Sequence, residues 1–314
     1  MNNKKVTVIM YHYVRDLTNT RYPDIKGLDI INFKKQLEYI KHNFNIIKME
    51  DFVDAIELNK KLPANSALLT FDDGYIDHYT QVLPVLVANK IQGSFFIPAR
   101  LIKDNIVLDV NKIHFILEEC KNIKILVAYL FKLLDANRIE YNLESNDFYY
   151  NKLAIANRFD NADIIFIKRI LQSELCLNLR EKIVDDLFAK FIKVSENIFS
   201  KELYLNIDQI KLMINCGMHI GAHGYNHFWL GKLDKIEQEN EIKKSISFLD
   251  ELGIEEKYRT LCYPYGSFNE ITIKLLEKYK FKSAFTTIPS IVNLELEHKY
   301  KIPRLDTNDL PINF

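Results

Sequence analysis

Short apolar segments alternate along the chain with segments whose apolar residues recur at helical spacing. Ala67–Phe71 is a strand-like apolar run, whereas Asn32–Phe44 repeats apolar residues three or four positions apart. About seven such strand–helix pairs can be distinguished, which indicates a parallel sheet or barrel covered by helices. The predicted strands are Val6–Tyr13, Asn45–Met49, Ala67–Phe71, Gly93–Pro98, Met218–His223, Arg259–Tyr263 and Ser283–Thr287.

The alternation stops near residue 101 and resumes near residue 205. The intervening segments have helical spacing and few turn signals. We therefore predict an α/β fold in which residues 1–100 and 206–314 form the sheet domain and residues 101–205 form a helical insertion. Two roles for the insertion stay open, a cap over the active face or a packing and oligomerisation element. Its predicted helical segments include Ile113–Glu119, Ile123–Leu134, Ala162–Leu171 and Ile183–Phe199.

Composition limits the partners and the location that we expect. Lysine plus arginine equals aspartate plus glutamate at 42 each, so no net field favours nucleic acid or an anionic membrane. The four cysteines form no CxxC pair, which is typical of reduced cysteines in a cytosolic protein. Neither a signal peptide nor a run of about 20 apolar residues is recognisable. We expect a cytoplasmic protein with no nucleic-acid partner and no membrane span.

Two adjacent carboxylates follow the third predicted strand, in the segment TFDDGY. The carboxyl ends of parallel strands converge on one face, where reactive groups can be gathered. Asp72 and Asp73 point in different directions there and could serve two neighbouring roles, while Gly74 permits a sharp exit from the strand. The alternative is that Asp73 only caps the helix that follows.

A pair of histidines follows another predicted strand, in GAHGYNH. On a helical turn, the spacing of His223 and His227 would put both imidazoles on one side, where they could share a metal ion. Two histidines and one carboxylate leave coordination positions open, as in catalytic zinc sites. Iron, cobalt and nickel also suit such ligands. His219, at an even offset on the same strand, is expected to be a core histidine.

The segment CYPYG supplies a third element, a turn of Pro264, Tyr265 and Gly266 after a strand, which exposes backbone N–H groups. Alone it is an ordinary turn. In order and spacing, TFDDG, HGYNH and YPYG resemble the NodB-type polysaccharide deacetylases, carbohydrate esterase family four. MYHYV and IPRLD resemble the branch that includes exopolysaccharide deacetylases. The resemblance covers about residues 6–98 and 205–304 and implies a distorted (β/α)7 barrel.

The resemblance also implies the roles of the site residues. Asp72 would be the general base, and Asp73, His223 and His227 would bind a divalent metal, foremost Zn²⁺. The metal would hold water and the acyl carbonyl of the substrate, Asp72 would take the proton of that water, and the backbone N–H of Tyr265 would stabilise the oxyanion.

Three positions depart from the family pattern. Gly224 replaces a serine or threonine that helps to fix the histidine loop, and Cys262 replaces an arginine that tunes the base. Without a substitute cation the pKa of the base should rise, and Arg304 is the candidate substitute, the alternative being a structural or solvated arginine. The histidine of the fifth motif, the general acid, has no counterpart, since His298 is expected at the surface. His12 ends the first strand and is predicted to reach the active face, as the acid or as a substrate-binding or bracing group.

The predicted function is hydrolysis of a carbon–nitrogen bond other than a peptide bond. The substrate would be an N-acetylated amino sugar, as a saccharide or a lipid-linked or nucleotide-linked precursor of a surface polysaccharide. The alternatives are a deacylase of a small non-sugar amide, of a formyl group or of an O-acetyl ester, and a catalytically inactive carbohydrate-binding protein.

Overall fold

The computed structural model describes residues 5–157 and 160–312, and its centre is a curved, mainly parallel sheet. The strands are β1 Lys5–Tyr11, β2 Val14–Arg15, β3 Leu28–Asp29, β4 Asn45–Ile46, β5 Ser66–Asp72, β6 Ser94–Ile97, β7 His219–Ala222, β8 Thr260–Cys262, β9 Ser283–Phe285, β10 Val292–Asn293 and β11 Leu305–Asp306. In the large sheet they pair in the order β10, β1, β5, β6, β7, β8, β9, with β4 also on β5 and β11 also on β1, and β10 runs antiparallel to β1. Strands β2 and β3 form a separate two-stranded sheet.

The central strands are buried along their whole length. All seven residues of β5 are buried, and Phe71 stacks between Tyr11 of β1 and Phe95 of β6 at 5.0 and 4.7 Å. Strands covered on both faces read as continuous apolar runs, which is why the sequence pattern reveals them. The predicted α/β architecture with a parallel sheet is confirmed.

Helices follow most of the strands, and several of them begin at a side-chain cap. Asp234 and Asn269 each close a capping box at the start of α12 and α13. The segment His78–Val82 forms one turn of π-helix and leads into the helix Leu83–Ala88, with Pro84 in the first turn of that helix. The helices are α1 Ile30–Asn43, α2 Met49–Leu58, α3 Leu83–Ala88, α4 Ala99–Asp104, α5 Asp109–Glu119, α6 Ile123–Asn137, α7 Asn146–Leu153, α8 Ala162–Arg169, α9 Leu177–Phe191, α10 Glu196–Leu203, α11 Ile207–Asn215, α12 Lys235–Glu251 and α13 Glu270–Lys278.

The chain divides into two compact units. The sheet unit comprises the described residues of Met1–Thr18, Lys26–Asn105 and Lys201–Phe314. The helical unit comprises those of Asn19–Ile25 and Ile106–Ser200. The sequence pattern does not assign Asn19–Ile25 to the helical unit, but the ring of Tyr22 packs edge-on against Phe115 at 4.9 Å.

Inside the helical unit, α5 packs against α9, and the buried ammonium of Lys112 on α5 binds Asp185 and Glu196. The predicted helical segment Ile183–Phe199 is wrong as one helix. It is divided because Ile192 has extended backbone angles after α9, and a new helix begins at Glu196. Within residues 5–157 and 160–312, we find no helix with both the length and the apolar character of a membrane span.

Candidate metal centre and active site

The two carboxylates separate at the end of β5. Asp72 is the last residue of the strand, and the backbone then takes left-handed angles at Asp73 and Gly74, with φ of 73° and 66°. Glycine adopts such angles without strain, whereas aspartate does so at some cost. Because of this turn the two side chains point to different partners, and both are buried.

Asp73 lies against both histidines of the predicted cluster. Its Oδ1 is 3.4 Å from Nε2 of His223 and 3.3 Å from Nε2 of His227. The two imidazole rings are 4.8 Å apart and steeply inclined, at 71°. One ligand atom from each of the three residues lies within 4.8 Å of the others, and all three residues are buried.

The unpaired atoms of this cluster fit a divalent cation. Oδ1 of Asp73 is buried and has no aligned hydrogen-bond donor among the described residues, a costly state for a carboxylate oxygen unless a cation binds it. Nδ1 of His223 lies 2.9 Å from the carbonyl oxygen of Cys262, which can only accept, so Nδ1 carries the proton. The lone pair of Nε2 is then free to bind a metal.

Electrostatics favour a charged Asp73. Burial alone would raise the pKa of this carboxyl, but His223 and His227 hold it well below its ordinary value. Burial lowers the pKa of His227, whereas at His223 burial is outweighed by the carboxylates of Asp72 and Asp73, which raise the pKa, so a cation there has to displace a proton. A carboxylate beside a neutral imidazole is the protonation state that metal binding requires.

The histidines meet through a loop, so the predicted helical turn is wrong. No residue from His223 to Trp229 is helical. Instead Gly224 and His227 take left-handed angles, with φ of 68° and 60°, and the loop folds back on itself. The buried carboxylate of Glu241 on α12 anchors it by accepting the backbone N–H groups of Tyr225 and Asn226, each at 2.9 Å, and the Asn226 amide.

Asp72 pairs with Arg304. The guanidinium donates from both terminal nitrogens to the two carboxylate oxygens, at 2.9 and 2.7 Å, and its Nε donates to the carbonyl of Thr286. Such a bidentate geometry fixes the orientation of the carboxylate. Arg304 is only 1% exposed, so it is not a solvated arginine. Burial would raise the pKa of Asp72, but Arg304 and His223 outweigh it and lower the pKa to about 2.

His12 stands at the open edge of the site. Its Nε2 lies 3.9 Å from Oδ2 of Asp72, beyond hydrogen-bond distance, and its side chain is 41% exposed. Below it, Nε2 of the buried His78 donates to the carbonyl oxygen of His12 at 2.8 Å. The backbone of His12 is therefore fixed while its ring faces solvent. The role of this ring stays a prediction.

The turn Pro264–Gly266 brings an aromatic ring to the histidine loop. Tyr265 has left-handed angles, with φ of 57°, and its ring meets His227 at 4.8 Å. On its other side it stacks on Trp229 at 4.4 Å. Pro264 also lies close to Gly224, since a Cβ there would be 3.4 Å from its ring. The role of the Tyr265 N–H in binding an oxyanion stays a prediction.

The two other histidines that the sequence analysis considered, His219 and His298, lie outside the cluster. His219 is buried in the sheet, where its Nε2 lies 2.9 Å from the hydroxyl of Thr260. His298 is exposed and accepts the backbone N–H of Tyr300. Sequence reasoning missed Tyr75, which donates to Asp73, and Glu241. Tyr75 directly follows the FDDG motif, which is a usable signal, whereas nothing in the sequence links Glu241 to the histidine loop.

Comparison with known sequences identifies a family. Residues 59–125 and 186–284, just over half of the chain, match the family model described as Polysaccharide deacetylase. The match indicates a hydrolase that acts on carbon–nitrogen bonds. The chain is also similar to the Bacillus subtilis (strain 168) protein named "Putative polysaccharide deacetylase YxkH", with 30% identity over 101 residues. That match spans 32% of this chain and only 36% of the relative.

Solved structures share the fold. The Streptococcus pyogenes deacetylase PplD in complex with acetate superposes with a TM-score of 0.59 at 16% identity, over 96% of this chain and 92% of that chain. IcaB from Ammonifex degensii gives 0.57 at 18% identity, over 96% and 91%. The deacetylase domain of BpsB from Bordetella bronchiseptica gives 0.58 at 16% identity, over 98% and 97%. The predicted NodB-type distorted barrel is confirmed as the fold.

Proposed function

Because the chain belongs to the polysaccharide deacetylase family, we propose that it is a metal-dependent hydrolase that removes the N-acetyl group from an amino sugar. One observation carries the proposal. A buried carboxylate oxygen without a hydrogen-bond partner among the described residues faces two imidazole nitrogens at 3.3 and 3.4 Å, beside a second carboxylate held by an arginine. The first group suits a cation, and the second suits a proton acceptor.

Asp73, His223 and His227 would hold the metal, with zinc as the expected ion. A divalent cation in such a site supplies Lewis acidity toward an amide carbonyl and toward water. The chain contributes the remaining groups. Asp72 accepts a proton from the attacking water. Arg304 donates to both of its oxygens and the Cys262 thiol also hydrogen-bonds to it, which still leaves one of the four lone pairs of the carboxylate to accept that proton.

Hydrolysis of an amide also needs a proton for the leaving amine. His12 is the candidate donor, because its ring lies 3.9 Å from Asp72 and has access to solvent. The proton that Asp72 takes from water can pass to the leaving amine directly or through His12, and the amide and water then yield acetate and the protonated amino sugar, which balances. The backbone N–H of Tyr265 is the candidate donor to the developing oxyanion.

The test combines metal analysis with an acetate-release screen on the purified chain. We expect about one equivalent of zinc or a similar ion and acetate release from an N-acetylated amino sugar, free, lipid-linked or nucleotide-linked.

Asp72→Asn should lower kcat by about 10²-fold or more while the metal content is unchanged. Asp51→Asn, on the surface of α2, is the matched control. An Asp72→Asn protein as active as its parent would contradict the role of Asp72, and release only from non-sugar amides or esters would contradict the substrate class.

A further inference from the structure

Tyr75 lies two residues after Asp73 and is 1% exposed. Its hydroxyl donates a hydrogen bond of 2.6 Å to Oδ2 of Asp73. The other oxygen, Oδ1, is the one that faces His223 and His227 and has no aligned donor among the described residues. The two oxygens of one carboxylate therefore differ, because one is satisfied by the protein and the other is left for a ligand.

The ring of Tyr75 is held on two sides. Tyr13 stacks on it at 4.1 Å with planes inclined by 21°, and Tyr204 lies parallel to it at 6.0 Å. The backbone is also fixed, since Tyr75 bridges Tyr204 and the N–H of Leu205 donates to the carbonyl of Gly74 at 2.9 Å. The hydroxyl cannot move away from Asp73 by rotation about χ1 without losing these stacking contacts.

We propose that Tyr75 is a positioning residue of the metal centre, whose hydroxyl turns Asp73 so that Oδ1 alone binds the ion. This inference rests on the metal site of the proposed function. An outer hydrogen-bond partner of this kind orients the ligand before the ion arrives and reduces the charge left on the oxygen that it occupies. Without it, Asp73 can rotate or offer both oxygens, and the ligands lose their preorganised arrangement.

The experiment measures metal affinity on the full chain, freed of metal by a chelator and titrated with Zn²⁺ in competition with a chelating dye. Tyr75→Phe removes only the hydroxyl, and we expect its Zn²⁺ affinity to fall about 10- to 100-fold. The visible absorption of the Co²⁺-loaded protein should change as well, because it reports the ligand geometry. Tyr300→Phe is the matched control. It removes a buried hydroxyl that donates to the carbonyl of Phe281 at 2.8 Å, and it should keep the parent affinity and spectrum.

A parent protein that binds no Zn²⁺ overturns the metal centre and this inference together. A parent that binds Zn²⁺ and a Tyr75→Phe protein with equal affinity and an unchanged Co²⁺ spectrum overturn the role of Tyr75 alone. Replacement of Tyr75 by 4-aminophenylalanine keeps an N–H donor at the same ring position and serves if the phenylalanine variant is too unstable to titrate. It should bind Zn²⁺ within about 10-fold of the parent, and a folded protein of this kind that binds as weakly as His227→Ala overturns the proposal.

Discussion

Arg304 reaches Asp72 from 232 positions later in the chain and buries its charge completely against it. The family pattern places an arginine where this chain has Cys262, a buried residue. In this structure the guanidinium belongs to Arg304, directly before the start of β11, and it binds the carboxylate of Asp72. A cationic partner for this carboxylate can therefore be supplied from more than one position on this sheet.

The buried pair makes a stability prediction. Removal of one partner leaves the other charge buried and unpaired, so Arg304→Gln should lower the free energy of unfolding by about 3–5 kcal/mol. The double variant Asp72→Asn with Arg304→Gln removes both charges and should be more stable than Arg304→Gln alone. Urea unfolding in the presence of a chelator measures this difference. A double variant no more stable than the single one would show that charge pairing does not account for the loss.

His219 predicts a dependence of stability on pH. Burial lowers its pKa to about 4, so between about pH 6.5 and 4 the unfolded chain binds a proton that the folded chain does not. The free energy of unfolding should fall as the pH is lowered through that window, and His219 alone accounts for about 3 kcal/mol of this loss at the acid end. His78, whose pKa burial also lowers to about 4, contributes in the same sense. His219→Gln should remove the His219 share of this loss, about 3 kcal/mol across the window, measured by urea unfolding of the chelated protein, and an unchanged slope would count against it.

At the scale of elements, the histidine loop depends on α12. Glu241 accepts hydrogen bonds from two backbone N–H groups and one side-chain amide of that loop. Gly224 of the same loop replaces the serine or threonine of the family pattern. A Cβ at Gly224 would lie 3.4 Å from Oε2 of Glu241, in contact with it. The carboxylate of Glu241 therefore holds the histidine loop in this chain, which has no side-chain hydroxyl at position 224.

This anchoring can be tested through His227. Glu241→Gln replaces one acceptor oxygen by an NH₂ group that cannot accept the loop donors, so the loop should loosen and the affinity for Zn²⁺ should fall about 10-fold. Glu239→Gln is the control, because Glu239 is on the same helix but binds Lys278 and Tyr279. Competition with a chelating dye measures both. Equal affinities for the two variants would show that α12 does not set the loop.

The sequence predicts the elements better than it predicts the loops between them. Apolar runs such as β5 and helical repeats such as α1 follow from burial, which the residue pattern records directly. The HxxxH spacing, by contrast, indicates a helical turn, and the real loop depends on left-handed angles at His227. Asp73 and Tyr265 share that unusual conformation, and side-chain type does not reveal it in any of the three. Backbone strain of this kind is set by tertiary contacts.

At the scale of the whole molecule, the candidate metal site joins parts of the sequence that lie far apart. Asp73 follows β5, while His223 and His227 follow β7, on the far side of the helical unit in the sequence. The three proposed ligands are gathered only in the folded state, so a metal bound by them would stabilise the fold. The range 101–205 for the insertion, oligomerisation through it and a cytoplasmic location stay predictions.

Removal of metal should therefore lower the melting temperature. At a free Zn²⁺ concentration about 100-fold above the dissociation constant, binding adds about 2.7 kcal/mol to the free energy of unfolding, and a chelator removes it. Calorimetry of the parent with and without chelator should show a drop of several degrees. Asp73→Ala should melt at the same temperature under both conditions. A parent indifferent to chelator would contradict a site that is formed only on folding.

The stack of Trp229 on Tyr265, which in turn touches His227, has a practical consequence. The chain contains a single tryptophan, so its indole fluorescence comes from one place, next to the ligand loop. Paramagnetic Co²⁺ or Cu²⁺ that binds at the site should quench this fluorescence. A sugar that displaces Trp229 and Tyr265 should shift the emission maximum. The intrinsic fluorescence of Trp229 can therefore report whether the site holds a metal ion, without an attached fluorophore.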